Sequence, residues 1–308
     1  MSSAFPLILA EALTVHADGR PVLEGLDLET CGDRVVLTGA AGAFVATLMG
    51  FALGAPDATA EPPRVASGSL RLGGRDVASG AHLASLGVAP FEPPLPAGDT
   101  VREVVAWAAR LAGVAGPLPF RGRAAQVAAT AVLERLGGAH LAARKVGGLG
   151  TLERRAVVLA RALVGAPEVL LVADPLAGLD GAATRYLLDA LRTAGEGRRT
   201  IVWLSRPELG GPEGTLLREA SDLVVFGEGR LVAAGPPDEV LAGAHLYELT
   251  VRAGAEALCD ALVARGGVVR GGPEHFCLGL PAGLGPSDVL REALRVEASV
   301  VRCAPLLG

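Results

Sequence analysis

A chain of 308 residues that is 50% hydrophobic can bury one large and one small core, and with only 4% aromatics those cores are built mostly from Ala, Val and Leu. A formal charge of -5 with no dense Lys/Arg run excludes a nucleic-acid surface as the main partner. The cysteines Cys31, Cys259, Cys277 and Cys303 show no C-x-x-C spacing, so no metal site is expected, and reduced, buried thiols of a cytosolic protein are the reading.

The opening MSSAFPLILAEAL lacks the basic region and long apolar stretch of a secretory signal. FPLILAEALTVH, RPVLEGLDLE and RVVLTG read as strands, the second with Val22, Leu26 and Leu28 on a buried face. AGAFVATLMGFAL then reads as a helix. Val35 to Pro56 is uncharged and long enough to mimic a membrane span of ~20 residues. Gly39, Gly42, Gly50 and Gly54 interrupt it, and a buried strand, a glycine turn and a buried helix account for the same residues. APDATAEPPR is a surface loop, and SGSLRLGGRDV is a strand, a turn and a strand.

Thr100 caps a helix, TVREVVAWAARLAG, with Glu103 completing a capping box. RAAQVAATAVLERLG is a second helix that stops at Gly137-Gly138, and TLERRAVVLARALVG leads into the apolar strand EVLLVA. Helix TRYLLDALRTAG and strand RTIVWLS repeat the alternation, which predicts a parallel sheet with helices packed on it. After about Tyr247 the order becomes β-α-β-β-α-β, the pattern of a small ferredoxin-like domain.

The segment ARALVGAPEVLLVADPLAGLD, residues 160 to 180, and the later GRLVAAGPP followed by DEVLAG give this chain a specific likeness. It resembles the nucleotide-binding subunit of ATP-binding cassette (ABC) transporters over roughly residues 5 to 245. The resemblance implies an α/β, ABC-type P-loop cassette over residues 1–243: a parallel sheet core, an antiparallel β subdomain and a helical subdomain at about 98–165. A ferredoxin-like α+β domain over 244–308 follows, similar to the tail of export-type ATPases with separate permeases.

The positions that touch nucleotide in that family depart from its pattern. A working phosphate loop reads G-x-x-x-x-G-K-[ST], with amides wrapping phosphate, a lysine on the β- and γ-phosphates and a hydroxyl on magnesium. Aligned on Gly39 and Gly42, the second required glycine is Phe44, the lysine is Val45 and the hydroxyl is Ala46, with Thr47 one position late. Ala173 stands at the magnesium-binding Asp of the Walker B strand and Asp174 at the catalytic Glu. Asp174 is either a short base or a carboxylate capping a turn. Phe91 replaces the Q-loop glutamine, and Arg206 the switch histidine. The adenine-stacking aromatic falls near Ala17, beside His16. The signature reads Leu149-Gly150-Thr151-Leu152-Glu153 in place of LSGGQ. Pro175, Gly178, Leu179 and Asp180 keep the D-loop, which lies across the family's dimer interface.

The resemblance therefore implies a catalytically inactive subunit that pairs with a competent ABC ATPase and docks on a membrane permease, with Asp180, Gly178 and Phe91 as interface positions. No cofactor is expected for the isolated chain, and ATP with magnesium only where a partner subunit holds it. The implied location is the cytoplasmic face of the cell membrane, by peripheral association. Two other readings stand beside it: a soluble regulatory module on a cassette surface, and an ATPase with an unfamiliar site using Arg34, Arg154 or Arg206.

Overall fold

The computed structural model describes residues 5–53, 63–80, 85–114, 121–227, 230–242, 245–272, 274–281 and 283–306. Most of the loop read at residues 55–64, and the domain boundary at 243/244, lie outside the described residues. The chain opens with β1 (Ile8–Ala17), β2 (Arg20–Glu29), β3 (Arg34–Gly39), α1 (Gly42–Leu53), β4 (Arg64–Leu72), β5 (Arg75–Asp76) and β6 (Leu86–Ala89). Three helices follow: α2 (Val101–Leu111), α3 (Arg121–Arg135) and α4 (Thr151–Leu163). Then come β7 (Val169–Ala173), α5 (Gly181–Gly195), β8 (Arg199–Leu204), α6 (Pro212–Glu219), β9 (Asp222–Gly227), β10 (Arg230–Gly235) and α7 (Pro237–Ala242).

The central sheet has the order β10-β9-β3-β8-β7-β6. Its β6, β7, β8, β3 and β9 pair in parallel, and β10 returns antiparallel to β9. The expected all-parallel core is thus a mixed sheet, because a short connection after β9 permits a hairpin-like return where a parallel strand needs a long crossover. Strands β7 and β9 are buried along their whole length, as central strands covered on both faces must be.

Alternate side chains of each strand supply two different cores. Val36, Val172, Val202 and Val225 face the helices α2 to α6. Val35, Leu37, Leu171, Ala173, Ile201 and Phe226 face α1 and a second, antiparallel sheet of order β2-β1-β4-β5. The uncharged Val35–Pro56 segment divides into the six-residue β3 and the 12-residue α1. Among the described residues no helix is long and apolar enough to cross a membrane.

The capping box of α2 is present: the Thr100 hydroxyl accepts from the Glu103 amide at 3.3 Å, and the Glu103 carboxylate accepts from the Thr100 amide at 2.7 Å. All four cysteines are free, but only Cys277 is buried; Cys31 is exposed and Cys259 and Cys303 are half-buried, which corrects the expectation of four buried thiols.

The C-terminal segment runs β11 (His245–Ala253), α8 (Ala255–Ala264), β12 (Val268–Gly271), β13 (His275–Leu280), α9 (Pro286–Arg295) and β14 (Ser299–Pro305). Its strands form a separate sheet, β12-β13-β11-β14, in which every neighbouring pair is antiparallel. Leu249, Leu258, Leu262, Phe276, Leu278 and Val289 close a third core between this sheet and its helices. The tail is not free of the cassette. Cys277 belongs to the main core, with its thiol against Gly227, where a Cβ would lie 1.9 Å from Sγ. The Arg270 guanidinium donates to the Val232 carbonyl of β10.

Candidate functional site

In a parallel sheet, ligands meet the carboxyl ends of the strands. Here β3, β7 and β8 end together, since Leu37 and Ala173 both register with Trp203. The backbone leaves β3 at Gly39 with φ +73°, a left-handed conformation that only glycine adopts cheaply. A Cβ there would lie 2.1 Å from the Phe226 carbonyl oxygen. Only Ala40 and Ala41 separate β3 from α1.

Two amides of the phosphate turn are bonded within the chain. Ala40 N–H donates to the Phe226 carbonyl at 2.8 Å, and Val45 N–H to the Ala41 carbonyl at 2.9 Å. Phe44 is fully buried, its ring stacked on Phe226 with centroids 5.2 Å apart. Val45 is also buried, in the same core as Ala173, and Trp203 packs against that core. Ala46 is exposed and carries no hydroxyl, while the Thr47 hydroxyl is buried and donates to the Ala43 carbonyl at 2.8 Å. Trp203 sits beside the first turn of α1, its Cζ2 3.9 Å from where a Cβ on Gly42 would be.

Asp174 follows β7 with φ +44° and is buried. Its Oδ1 accepts from the Ser205 amide at 3.1 Å and its Oδ2 from the Ser205 hydroxyl at 2.5 Å. Its own amide donates to the Trp203 carbonyl at 2.8 Å. Both carboxylate oxygens thus tie the end of β7 to the turn after β8. Arg206, the next residue, is exposed and borders a cleft of about 430 Å³ with Asp174, Gly178, Thr184 and Glu213.

The D-loop carbonyls converge on Arg155, a residue that sequence reading passed over. The buried guanidinium donates to the carbonyls of Asp174 at 2.6 Å, Pro175 at 2.8 Å and Ala177 at 3.1 Å. Its carbon lies 4.2 Å from the centre of the Phe91 ring, and Glu92 is 3.9 Å away. Burial pushes its pKa down, against the pull of Glu92 and Asp174. The signal was available: Arg155 occupies the apolar stripe of α4 with Val158, Leu159 and Ala162, all buried, where a charge needs several partners. Phe91 is 37% exposed and borders a cleft of about 290 Å³ with Pro94, Thr151 and Arg154.

At the start of α4, Gly150 is the N-cap and its amide donates to Glu153 Oε2 at 3.0 Å. Arg144 pairs with the other Glu153 oxygen. The Gly150 amide, aided by Arg144, holds the Glu153 carboxyl below its ordinary range against some desolvation. A carboxylate of this chain therefore occupies the helix terminus. Leu149 is buried, Leu152 packs on the main core, and Thr151 is exposed. Asp180 is exposed and caps α5, accepting from the Ala183 amide at 3.4 Å; Gly178 is left-handed at φ +72° with open space around it. Among the described residues no group of three His, Cys, Asp or Glu side chains could hold a metal.

No family model matches the chain. It is 34% identical over 248 residues to the hemin import ATP-binding protein HmuV of Streptomyces coelicolor, covering 79% of this chain and 82% of that protein. The chain belongs to the ATP-binding subunits of ABC transporters. This ABC subunit is also 32% identical over 188 residues to the zinc import ATP-binding protein ZnuC of Marinobacter nauticus, covering 59% of the chain and 61% of that protein. A shorter match, 39% over 134 residues, relates 42% of the chain to 35% of the molybdenum import ATP-binding protein ModC of Methylococcus capsulatus. Among solved structures it is similar to cbiO1 of Clostridium perfringens, part of the ABC transporter complex cbiONQ, with a TM-score of 0.58 at 20% identity over 77% of this chain and 91% of that one. A bacterial Atm1-family ABC exporter with ATP bound gives the same TM-score and identity over 79% of this chain and 40% of that one, a likeness of fold alone. The export-type expectation is corrected: the relatives by sequence are import ATP-binding proteins. The exporter cue was the tail, and a small α+β fold serves many functions.

Proposed function

We propose that this ABC subunit is a non-hydrolysing member of an import complex, which pairs with a competent ATPase subunit and docks on a membrane permease. The observation that carries the reading is the phosphate turn. Phe44 stacks on Phe226, Val45 is buried, and the Ala40 and Val45 amides are already bonded to carbonyls of the chain. A triphosphate there would lack a cation and a magnesium hydroxyl. What remains exposed is what an assembly uses: Asp180 and Gly178 on the D-loop, and the cleft beside Phe91 as a permease seat. ATP with magnesium belongs to this reading only in a site built mainly by the partner, and the place is the cytoplasmic face of the membrane. The tail's strand order supports a ferredoxin-like domain.

The test is a titration of the isolated chain with labelled ATP and magnesium. No saturation at millimolar nucleotide is expected; a micromolar dissociation constant would overturn the proposal.

A further inference from the structure

A further cleft shares no lining residue with the nucleotide positions. It measures about 620 Å³ and opens between β10 and α7 on the cassette side and β12 and β13 on the tail side. That volume lies in the range of small-molecule sites. Its body is apolar, with Val240 from α7, Val268 from β12 and Leu280 from β13. Val268 is 57% exposed, an apolar surface with no cover.

Two charges line this apolar body. Arg270 spends one N–H on the Val232 carbonyl and, among the described residues, has no carboxylate partner. A guanidinium carries five N–H donors, so donors remain for an anion. Glu239 lines the same cleft from α7, and among the described residues its carboxylate has no cation. Arg270 is fixed at Val232, while Glu239 Oε2 lies 3.8 Å from the Cβ position of Gly235, three residues further along β10. At the usual strand rise the two points on β10 beside which these charges sit are about 10 Å apart.

We propose that this cleft binds a linear organic zwitterion, with its carboxylate on Arg270, its ammonium on Glu239 and an apolar chain lying across Val240, Val268 and Leu280. A ligand so held bridges β10 to the tail sheet, so binding also strengthens the junction between the two. This site is independent of the reading of the phosphate turn.

The experiment is calorimetric titration of the full chain with 8-aminooctanoate, octanoate and octylammonium, alongside thermal melts. Saturable binding of 8-aminooctanoate is expected, with each single-ended probe weaker by about tenfold, as for loss of one charge-assisted contact. Arg270→Gln is expected to erase the preference over octylammonium, and Glu239→Gln the preference over octanoate. Both substitutions fall on exposed residues, and an unchanged melt of the free variant shows that each folds. Absence of saturable 8-aminooctanoate binding, equal binding of all three probes, or binding indifferent to both substitutions overturns the proposal.

Discussion

At the residue scale, Asp174 and Val45 show how position and chemistry part company. Asp174 has a carboxylate where the family's base would be, yet both oxygens accept from Ser205. Asp174→Asn keeps an oxygen for the Ser205 amide, and Asn tolerates the left-handed backbone found there. It should be close to neutral in urea melts, and in an assembled complex ATPase rates should be unchanged. Asp174→Ala leaves Ser205 without its acceptor and should cost about 1–2 kcal/mol. An Asp174→Asn variant that assembles but loses ATPase activity would identify a working site. The converse change is as informative. Val45→Lys restores the family's lysine in name only, because that side chain is buried in the core of Phe44, Ala173 and Phe226. An unpaired ammonium there is costly. The variant should melt earlier than the natural chain and gain no affinity for labelled ATP. Missing chemistry at 44–46 was legible in sequence. That Phe226 and Trp203 fill the surrounding space was not, since both lie more than 150 residues downstream, as the numbering in the sequence shows.

At the element scale, the start of α2 was legible because it is local, whereas α6 was not read and α5 begins at Gly181, ahead of the expected Thr184. Thr100 with Glu103 spells its own capping box, and the structure shows both of its bonds. Residues 151–163 formed the expected α4, but the role of Arg155 depends on loops 64 residues before and 20 after it, which no local pattern reports. The return strand β10 was read only as family text, and its antiparallel direction follows from the connection length and not from its own residues. Two of the capped helices, α2 and α4, share a pH response. The Thr100 amide holds the Glu103 carboxyl below its ordinary value, and the Gly150 amide does the same for Glu153. A depressed folded pKa contributes stability that is full above the unfolded value, about 4.3, and is lost as pH falls through the folded value. Helix signal in circular dichroism should therefore hold down to about pH 5 and loosen in the acid range below the unfolded value. Glu103→Gln with Glu153→Gln should weaken that acid dependence, the part left belonging to Asp288 and Glu292 on α9; an unaltered profile would mean the two caps do not set it.

At the scale of the whole molecule, the two sides of the central sheet have separate tasks. The face with α1 is closed by side chains, whereas the face with α4 leads through Arg155 from the D-loop to Phe91. That buried guanidinium makes one body of the turn at 174–177 and the cleft loop at 91–92. A subunit seated on Asp180 and a permease seated at Phe91 would thus hold opposite ends of one rigid connection. Testing it requires separating interface from fold. Asp180 caps α5, so Asp180→Ala removes a cap worth about 1 kcal/mol along with any contact. Asp180→Asn keeps the cap and removes only the charge. Phe91→Ala removes the ring under Arg155, while Phe91→Tyr keeps it. In a complex purified from membranes, Asp180→Asn should weaken retention of the partner ATPase with no shift in melting of the free chain. Phe91→Ala should weaken retention of the permease, and Phe91→Tyr should restore it. Full retention of both partners in Asp180→Asn and Phe91→Ala would remove the docking role from these positions and leave them a purely internal one.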